Sequence, residues 1–133
     1  MEMPKYVVDS QPLLFPGAGN SAVLRLKSSD EKESFLVDIN RKGRIKVSKC
    51  TYQERYAVIE VLLRLDVDGP PHENPDGEEV PCPHLHVYRE GHGTKWAVPL
   101  PPAFTNPSDL VRTLREFLKV CNVDHTLDIQ RSL

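Results

Sequence analysis

The sequence predicts an α+β fold in which a mostly antiparallel, curved sheet of about five or six strands carries one C-terminal helix on its apolar face. Short segments of alternating apolar and polar residues recur up to residue 100, as expected for strands with one buried face. A later segment, 107–121, spaces its apolar residues as a helix does. With 133 residues, of which 39% are hydrophobic, the chain fits one domain spanning 1–133 with a modest core.

The first third of the chain predicts two strands after an irregular segment. Residues 1–20 are interrupted by prolines and a Gly-Ala-Gly-Asn run, so they are expected to be irregular. Strands are predicted at 22–27 and 33–40. A turn at 41–43, where glycine supplies a positive φ, leads to a returning strand at 44–49.

The middle of the chain contains the longest apolar stretch, 56–67. Its strict period of two and its branched residues favour one strand over a helix. Residues 68–82 are dense in proline, glycine and acids, so they are predicted to form a long loop. Two further strands, 83–90 and 95–100, are separated by a Gly-His-Gly turn.

The helix is predicted to begin near Asn106, which can serve as the N-cap. Pro107 would then take the first helical position, and Asp109 would lie at the positive end of the helix dipole. The apolar stripe consists of Leu110, Leu114, Phe117, Leu118 and Cys121. Asn122 is expected to end the helix, and the tail 124–133 to be loosely ordered.

Charge and cysteine content indicate a cytoplasmic protein. The net charge of −2 gives no general attraction to nucleic acid or membranes, so phosphate binding would need a local basic patch. The sequence has no apolar run long enough to span a bilayer, and its N-terminus does not resemble a signal peptide. Cys50, Cys82 and Cys121 are odd in number and widely spaced, which favours reduced thiols, with Cys50 and Cys121 in the core.

The predicted strand at 83–90 carries the candidate site. Four groups that can move protons or bind ions fall on one face, namely His84, His86, Tyr88 and Glu90. The intervening Leu85 and Val87 fall on the other face. We expect the two imidazoles to project into solvent together while Leu85 faces the core.

Two neighbouring segments are expected to join this face. If the strand ending at Val67 pairs with the histidine strand, Arg64 and Asp66 lie near the two imidazoles. His72, in the long loop, can then close over the site. A basic row at 40–49, without any acid, consists of Arg41, Lys42, Arg44, Lys46 and Lys49.

This combination suggests a phosphodiester substrate. The leading hypothesis is a metal-independent endoribonuclease that needs no cofactor and uses the RNA 2′-hydroxyl as nucleophile. His84, His86 or Glu90 would take the 2′ proton, and another imidazole would protonate the leaving oxygen. Cations from the set Arg64, Lys46 and Lys95 would stabilise the phosphorane, while Trp96 and Tyr88 would stack on bases.

A metal site is an alternative. His84-x-His86-x3-Glu90 resembles part of the first metal motif of cupins, although no second motif with a third histidine follows. His125 lies beyond the helix in a different context. A site with Cys82 beside the histidine pair lacks an obvious fourth ligand.

A third alternative is a sheet face that binds a macromolecule without chemistry, as in an inhibitor or a toxin–antitoxin partner. Polar faces of antiparallel sheets are often simply solvated, and histidine and tyrosine can pair across strands. In this interpretation Trp96 fills the core and the basic residues protect an edge strand.

Four segments resemble a family of small, uncharacterised bacterial and phage proteins. These are 74–78, 83–91, 95–100 and 109–123, so the similarity covers most of the chain. The Pro-His-x-His strand is also similar to that of toxin-like proteins from mobile elements, which implies a role in conflict between host and element. Neither resemblance implies catalytic residues.

Overall fold

The computed structural model describes residues 3–9, 12–42, 49–124 and 127–131. Its elements are β1 (Lys5–Val7), β2 (Leu13–Phe15), β3 (Ser21–Ser28), β4 (Ser34–Asn40), β5 (Thr51–Tyr56), β6 (Glu60–Asp66), β7 (His72–Glu73), β8 (Glu79–Val80), β9 (His84–Arg89), β10 (Gly93–Pro99), α1 (Leu110–Val120) and β11 (Ile129–Arg131). This set confirms the predicted α+β class. The predicted returning strand at 44–49 lies outside the described residues except for Lys49.

Within the described ranges, seven strands form one antiparallel sheet, so the sheet is larger than the predicted five or six strands. The strand order is β1-β3-β4-β5-β6-β9-β10. β2 and β11 form a separate parallel pair, and β7 and β8 form a small hairpin. Sequential neighbours therefore pair throughout the sheet, except where β2 separates β1 from β3 and the β7–β8 hairpin separates β6 from β9 in sequence.

One face of the sheet packs against α1 to form the core. Tyr52 of β5 makes the connection, since its ring lies 5.9 Å from that of Phe117 and its hydroxyl donates to the Leu110 carbonyl at 2.6 Å. Cys50 and Cys121 are fully buried in the same cluster, as predicted. The opposite face carries the polar residues of β6 and β9, among them Arg64, Asp66, His84 and His86.

Several segments predicted to be irregular contain strands. The segment 1–20 includes β1 and β2, and the tail 124–133 includes β11. The loop 68–82 includes the β7–β8 hairpin. These strands are two or three residues long, too short to show an alternating pattern, and tertiary pairing alone defines them.

The apolar stretch 56–67 is not one strand, so that prediction is wrong. β5 and β6 are joined at Ala57-Val58-Ile59, where Ala57 and Val58 have φ values of 50° and 81°. Positive φ at two successive residues is the geometry of a tight hairpin turn. Ile59 is 87% exposed as a result. The turn was hidden because it contains none of the Gly, Asn or Asp residues that usually mark one.

The helix begins later than predicted. Asp109 is the N-cap, and its side chain accepts a hydrogen bond from the Arg112 amide at 3.1 Å. Asn106 and Pro107 lie before the helix, where the Asn106 carbonyl accepts from the Asp109 amide. Asn106 and Asp109 can both cap a helix, and Asp109, which directly precedes the apolar stripe, forms the cap.

A buried ion pair joins the N-terminal strand, the sheet and the helix. Lys5 Nζ lies 3.3 Å from Glu54 Oε2, and both side chains are fully buried. The same ammonium donates to the Cys121 carbonyl at 2.6 Å and lies 4.7 Å from the centre of the Phe35 ring. One cation therefore neutralises a carboxylate on the core face and binds the C-terminal end of α1.

Replacing Lys5 with methionine is predicted to lower the free energy of unfolding by about 3–5 kcal/mol, because Glu54 would lose the cation that faces it. Urea denaturation followed by circular dichroism measures the change. The Lys5→Met/Glu54→Leu double variant should recover much of the loss. Lys32→Met, on the exposed surface, should change stability by less than about 0.5 kcal/mol. Equal effects of the Lys5 and Lys32 substitutions would contradict this account.

Candidate functional site

The polar cluster is positioned by the pairing of β6 with β9. Their antiparallel register places Arg64 opposite His86 and Asp66 opposite His84. The two strands therefore do pair across the long loop, which is the condition under which Arg64 and Asp66 were expected near the imidazoles. The intervening leucines of both strands point the other way and are buried in the core.

The connection between β6 and β9 folds back over this polar face. The Asn74 side chain donates to the Ala97 carbonyl at 3.0 Å and accepts from the Ala97 amide at 2.8 Å. His72 Nε2 lies 2.6 Å from the Lys95 carbonyl oxygen. Because β10 is the last strand of the described sheet, these side chains bond backbone groups along its edge. The loop is thereby attached to the sheet beside the histidine strand.

This loop buries the two imidazoles. His84 and His86 are only 2% and 3% exposed, so the expectation that they project into solvent is wrong. They do lie on the face opposite Leu85, which is part of the core. The error arose because the sequence does not reveal that Asn74 and His72 hold the loop against the sheet.

Each buried imidazole contacts a backbone carbonyl with one nitrogen and Asp66 with the other. His84 Nδ1 lies 3.1 Å from the Val80 oxygen, and His86 Nδ1 lies 2.9 Å from the Thr94 oxygen. Their Nε2 atoms lie 3.1 and 3.3 Å from the same atom, Asp66 Oδ2. A carbonyl oxygen can only accept a hydrogen bond, so each Nδ1 carries a proton and donates it.

Asp66 is the centre of the cluster. Arg64 lies 3.1 Å from Oδ1 through Nε and 2.9 Å from Oδ2 through Nη2, and the Thr51 hydroxyl lies 3.3 Å from Oδ1. Burial raises the pKa of the Asp66 carboxyl, but the contacts with His86 and Arg64 outweigh burial and hold that pKa well below its usual value. The carboxyl group is therefore ionised at neutral pH.

His72 brings a third imidazole to the cluster from the loop. Its ring centre lies 4.5 Å from that of His86, in an edge-on arrangement, and 6.0 Å from that of His84. The His84 and His86 rings are 4.9 Å apart. His72 is only partly buried, so it is the member of the group nearest to solvent.

These residues line a cavity of about 490 Å³. The three histidines, Arg64 and Asp66 form one side, and Lys42 and Lys49 lie on the side of β4 and β5. Cys82 also borders the cavity, with Sγ 3.5 Å from His84 Nδ1. Burial raises the pKa of the Cys82 thiol, and the charges of Asp66 and Asp68 raise it further, so the thiol stays protonated at neutral pH.

The structure does not bring four of the predicted site residues into the cavity. Tyr88 is 38% exposed, and a hydrogen bond with Glu60 raises its pKa, which places its hydroxyl at the other end of β9. Glu90 is exposed in the turn beyond that strand. Trp96 stacks under the Arg89 guanidinium at 4.6 Å. Lys95 contributes its backbone carbonyl to His72, while its side chain is exposed.

The basic row is divided. Lys42 and Lys49 line the cavity, whereas Arg41 Nη1 donates to the Pro16 carbonyl at 3.0 Å, away from it. Arg44 and Lys46 lie outside the described residues.

Asp66 is the residue that sequence reasoning undervalued. The sequence placed it near the imidazoles but did not identify it as a site residue. The available signal was its position two residues after Arg64, which puts both on the face of the histidines. Asn74 gave no such signal, since its role depends on the distant Ala97 backbone.

The fold and the site define a small α+β protein in which a loop covers a histidine- and aspartate-lined cavity on a sheet face. The chain belongs to a family of unknown function (DUF6978), whose model matches residues 1–123. No curated protein and no solved structure is significantly similar to it. Among the described residues, no helix has the length and apolar character needed to cross a membrane.

Asn74→Ala is predicted to loosen the loop, because the Ala97 amide and carbonyl would lose both side-chain hydrogen bonds. The expected cost is about 1–3 kcal/mol in unfolding free energy, with faster hydrogen exchange at the Ala97 amide measured by NMR. Asn20→Ala, at an exposed position, is the control. Unchanged protection at Ala97 would refute the attachment.

Proposed function

We propose that the chain binds and cleaves a phosphodiester, with single-stranded RNA as the substrate, in the cavity between β6, β9 and the covering loop. The observation that carries this proposal is the convergence of Arg64, His72, His84 and His86 in one concave site. Groups that can hold a phosphate and groups that can transfer a proton lie together there.

The size of the cavity favours a flexible strand. A volume of about 490 Å³ is in the range of small-molecule sites, and is suited to one nucleotide unit rather than a rigid duplex. A single strand can turn a phosphate and its sugar into such a space.

The cations are arranged on two sides. Lys42 and Lys49 line the same cavity as the histidines and supply cations that can bind backbone phosphates. Arg64 is paired with Asp66 but its side chain is 39% exposed, so its guanidinium also reaches the cavity. These local charges support phosphate binding although the chain as a whole is slightly acidic.

His72 is the candidate for proton transfer. It is less buried than the other two imidazoles, and its Nε2 is engaged by the Lys95 carbonyl, so Nδ1 is the ring atom available to a substrate. An imidazole can act as a general acid or as a general base.

The double variant Lys42→Ala/Lys49→Ala is predicted to weaken binding of a labelled single-stranded RNA. The association constant should also fall less steeply with salt: the slope of its logarithm against log salt concentration should become less negative by about 1.4, because two phosphate contacts are lost. Fluorescence anisotropy across a salt series measures both quantities. Lys32→Ala/Lys119→Ala removes the same charge at exposed positions elsewhere and should leave the slope unchanged. Equal effects of the two double variants, or no RNA binding by the wild type, would overturn the proposal.

His72→Gln is predicted to slow RNA cleavage about 100-fold or more while RNA binding is nearly unchanged, because glutamine keeps an N–H donor for the Lys95 carbonyl but cannot transfer a proton. His92→Gln, in an exposed turn, is the matched control. Electrophoresis of end-labelled RNA gives the rate. If the wild type binds RNA but does not cleave it, the proposed cleavage activity is refuted. If it binds neither RNA nor RNA fragments, the alternative of a non-catalytic protein that binds a partner protein is favoured.

A further inference from the structure

We propose that Asp66, His84 and His86 hold a divalent transition-metal ion, with Zn²⁺ as its representative. The site itself follows from the geometry of these side chains, whereas a role for the ion in RNA cleavage rests on the function proposed above. This inference replaces the metal-independent mechanism predicted from the sequence.

The hydrogen-bond partners of the two rings direct the same nitrogen of each towards Asp66. Both Nδ1 atoms donate to backbone carbonyls, which leaves Nε2 as the ring atom that can bind a metal ion. Both Nε2 atoms lie beside one oxygen, Asp66 Oδ2, and all three atoms are of the kinds that bind zinc. An ion bound by them would place a positive charge directly against a carboxylate that Arg64 otherwise faces.

The spacing of the three atoms fits a zinc ion. Nε2 of His84 and Nε2 of His86 lie 3.1 and 3.3 Å from Asp66 Oδ2, and one ligand atom from each residue lies within 4.8 Å of the others. Zinc bonds of about 2.0–2.1 Å in tetrahedral geometry separate ligand atoms by about 3.3 Å. An ion can therefore enter with side-chain adjustments alone.

Backbone carbonyls hold both imidazole rings in the orientation that metal binding needs. Histidines that bind metals usually donate the other ring N–H to a carbonyl or carboxylate, which fixes the ring orientation. Here the Val80 carbonyl of β8 and the Thr94 carbonyl of β10 take these roles. The covering loop and the edge strand thus orient the same pair of rings.

Two histidines and one carboxylate leave coordination positions open, as catalytic rather than structural zinc sites do. The open side faces the cavity, where the ion can polarise a phosphoryl oxygen or a water molecule. Cys82 is not included as a ligand, because it lies outside the group of mutually close ligand atoms.

Arg64 competes with the ion for the carboxylate. Its Nη2 lies 2.9 Å from Asp66 Oδ2 and 3.4 Å from His86 Nε2, close to the position the ion would take. Because the side chain is 39% exposed, it can turn into the cavity when the ion binds. Removing the Arg64 guanidinium should therefore strengthen metal binding. If Arg64 and Asp66 form only a structural ion pair, no such effect is expected.

The untagged, full-length chain is tested for Zn²⁺ binding by competition with a chromophoric chelator, and for Co²⁺ binding by visible absorption, in the absence of RNA. One ion per chain is expected, with Co²⁺ bands of a tetrahedral or five-coordinate site. Asp66→Asn and His86→Gln should weaken binding about 100-fold or more, since each removes a ligand. His92→Gln should bind as the wild type does, and Arg64→Gln more tightly.

Each outcome separates the two proposals. A wild-type chain that binds no ion, or whose affinity is unaffected by both ligand substitutions, refutes the metal site but leaves RNA binding to be judged by its own assay. A chain that binds one ion but no RNA refutes only the proposed substrate. If both ligand variants fail to fold, as judged by circular dichroism, the wild-type stoichiometry, the Co²⁺ spectrum and the Arg64→Gln affinity decide the matter.

Discussion

The register between β6 and β9 is the constraint on which the whole site depends. It places Arg64 opposite His86 and Asp66 opposite His84, so that two strands distant in sequence present one group of ligands and charges. A shift of one residue would move every member of this group to the helix side and bring the intervening leucines to the cavity. The leucines fix the register, because they are part of the core that α1 covers.

Burial changes what these side chains can do. On an open sheet face, imidazoles and a carboxylate would be hydrated and only weakly coupled. Beneath the loop, His84 and His86 are almost fully buried, and the contacts of Asp66 with His86 and Arg64 hold the pKa of its carboxyl below its usual value. The hydrogen bonds of Asn74 and His72 to the edge of β10 keep the loop in place. The attachment of the loop to β10 therefore determines how deeply the side chains of the site are buried.

Much of the architecture was predictable, and the failures have identifiable physical causes. Alternation located β9 and, on the condition that β9 pairs with β6, grouped Arg64 with the histidines; the structure has that pairing. The same alternation wrongly extended the site to Tyr88, which lies beyond the part of β9 that pairs with β6 and is bonded to Glu60 instead. It also concealed the turn at Ala57 and Val58, because apolar residues there adopt positive φ without glycine.

The sequence by itself determined the fold class, the single apolar stripe of the helix and the side of the sheet on which His84 and His86 lie, because these follow from local periodicity. Only the tertiary structure decided that the two rings are buried, that they share one oxygen of Asp66, and that Glu90 and Trp96 stand apart. Those features depend on how a long loop packs over the sheet and bonds its edge, and contacts between residues so far apart along the chain leave no periodic signal in it.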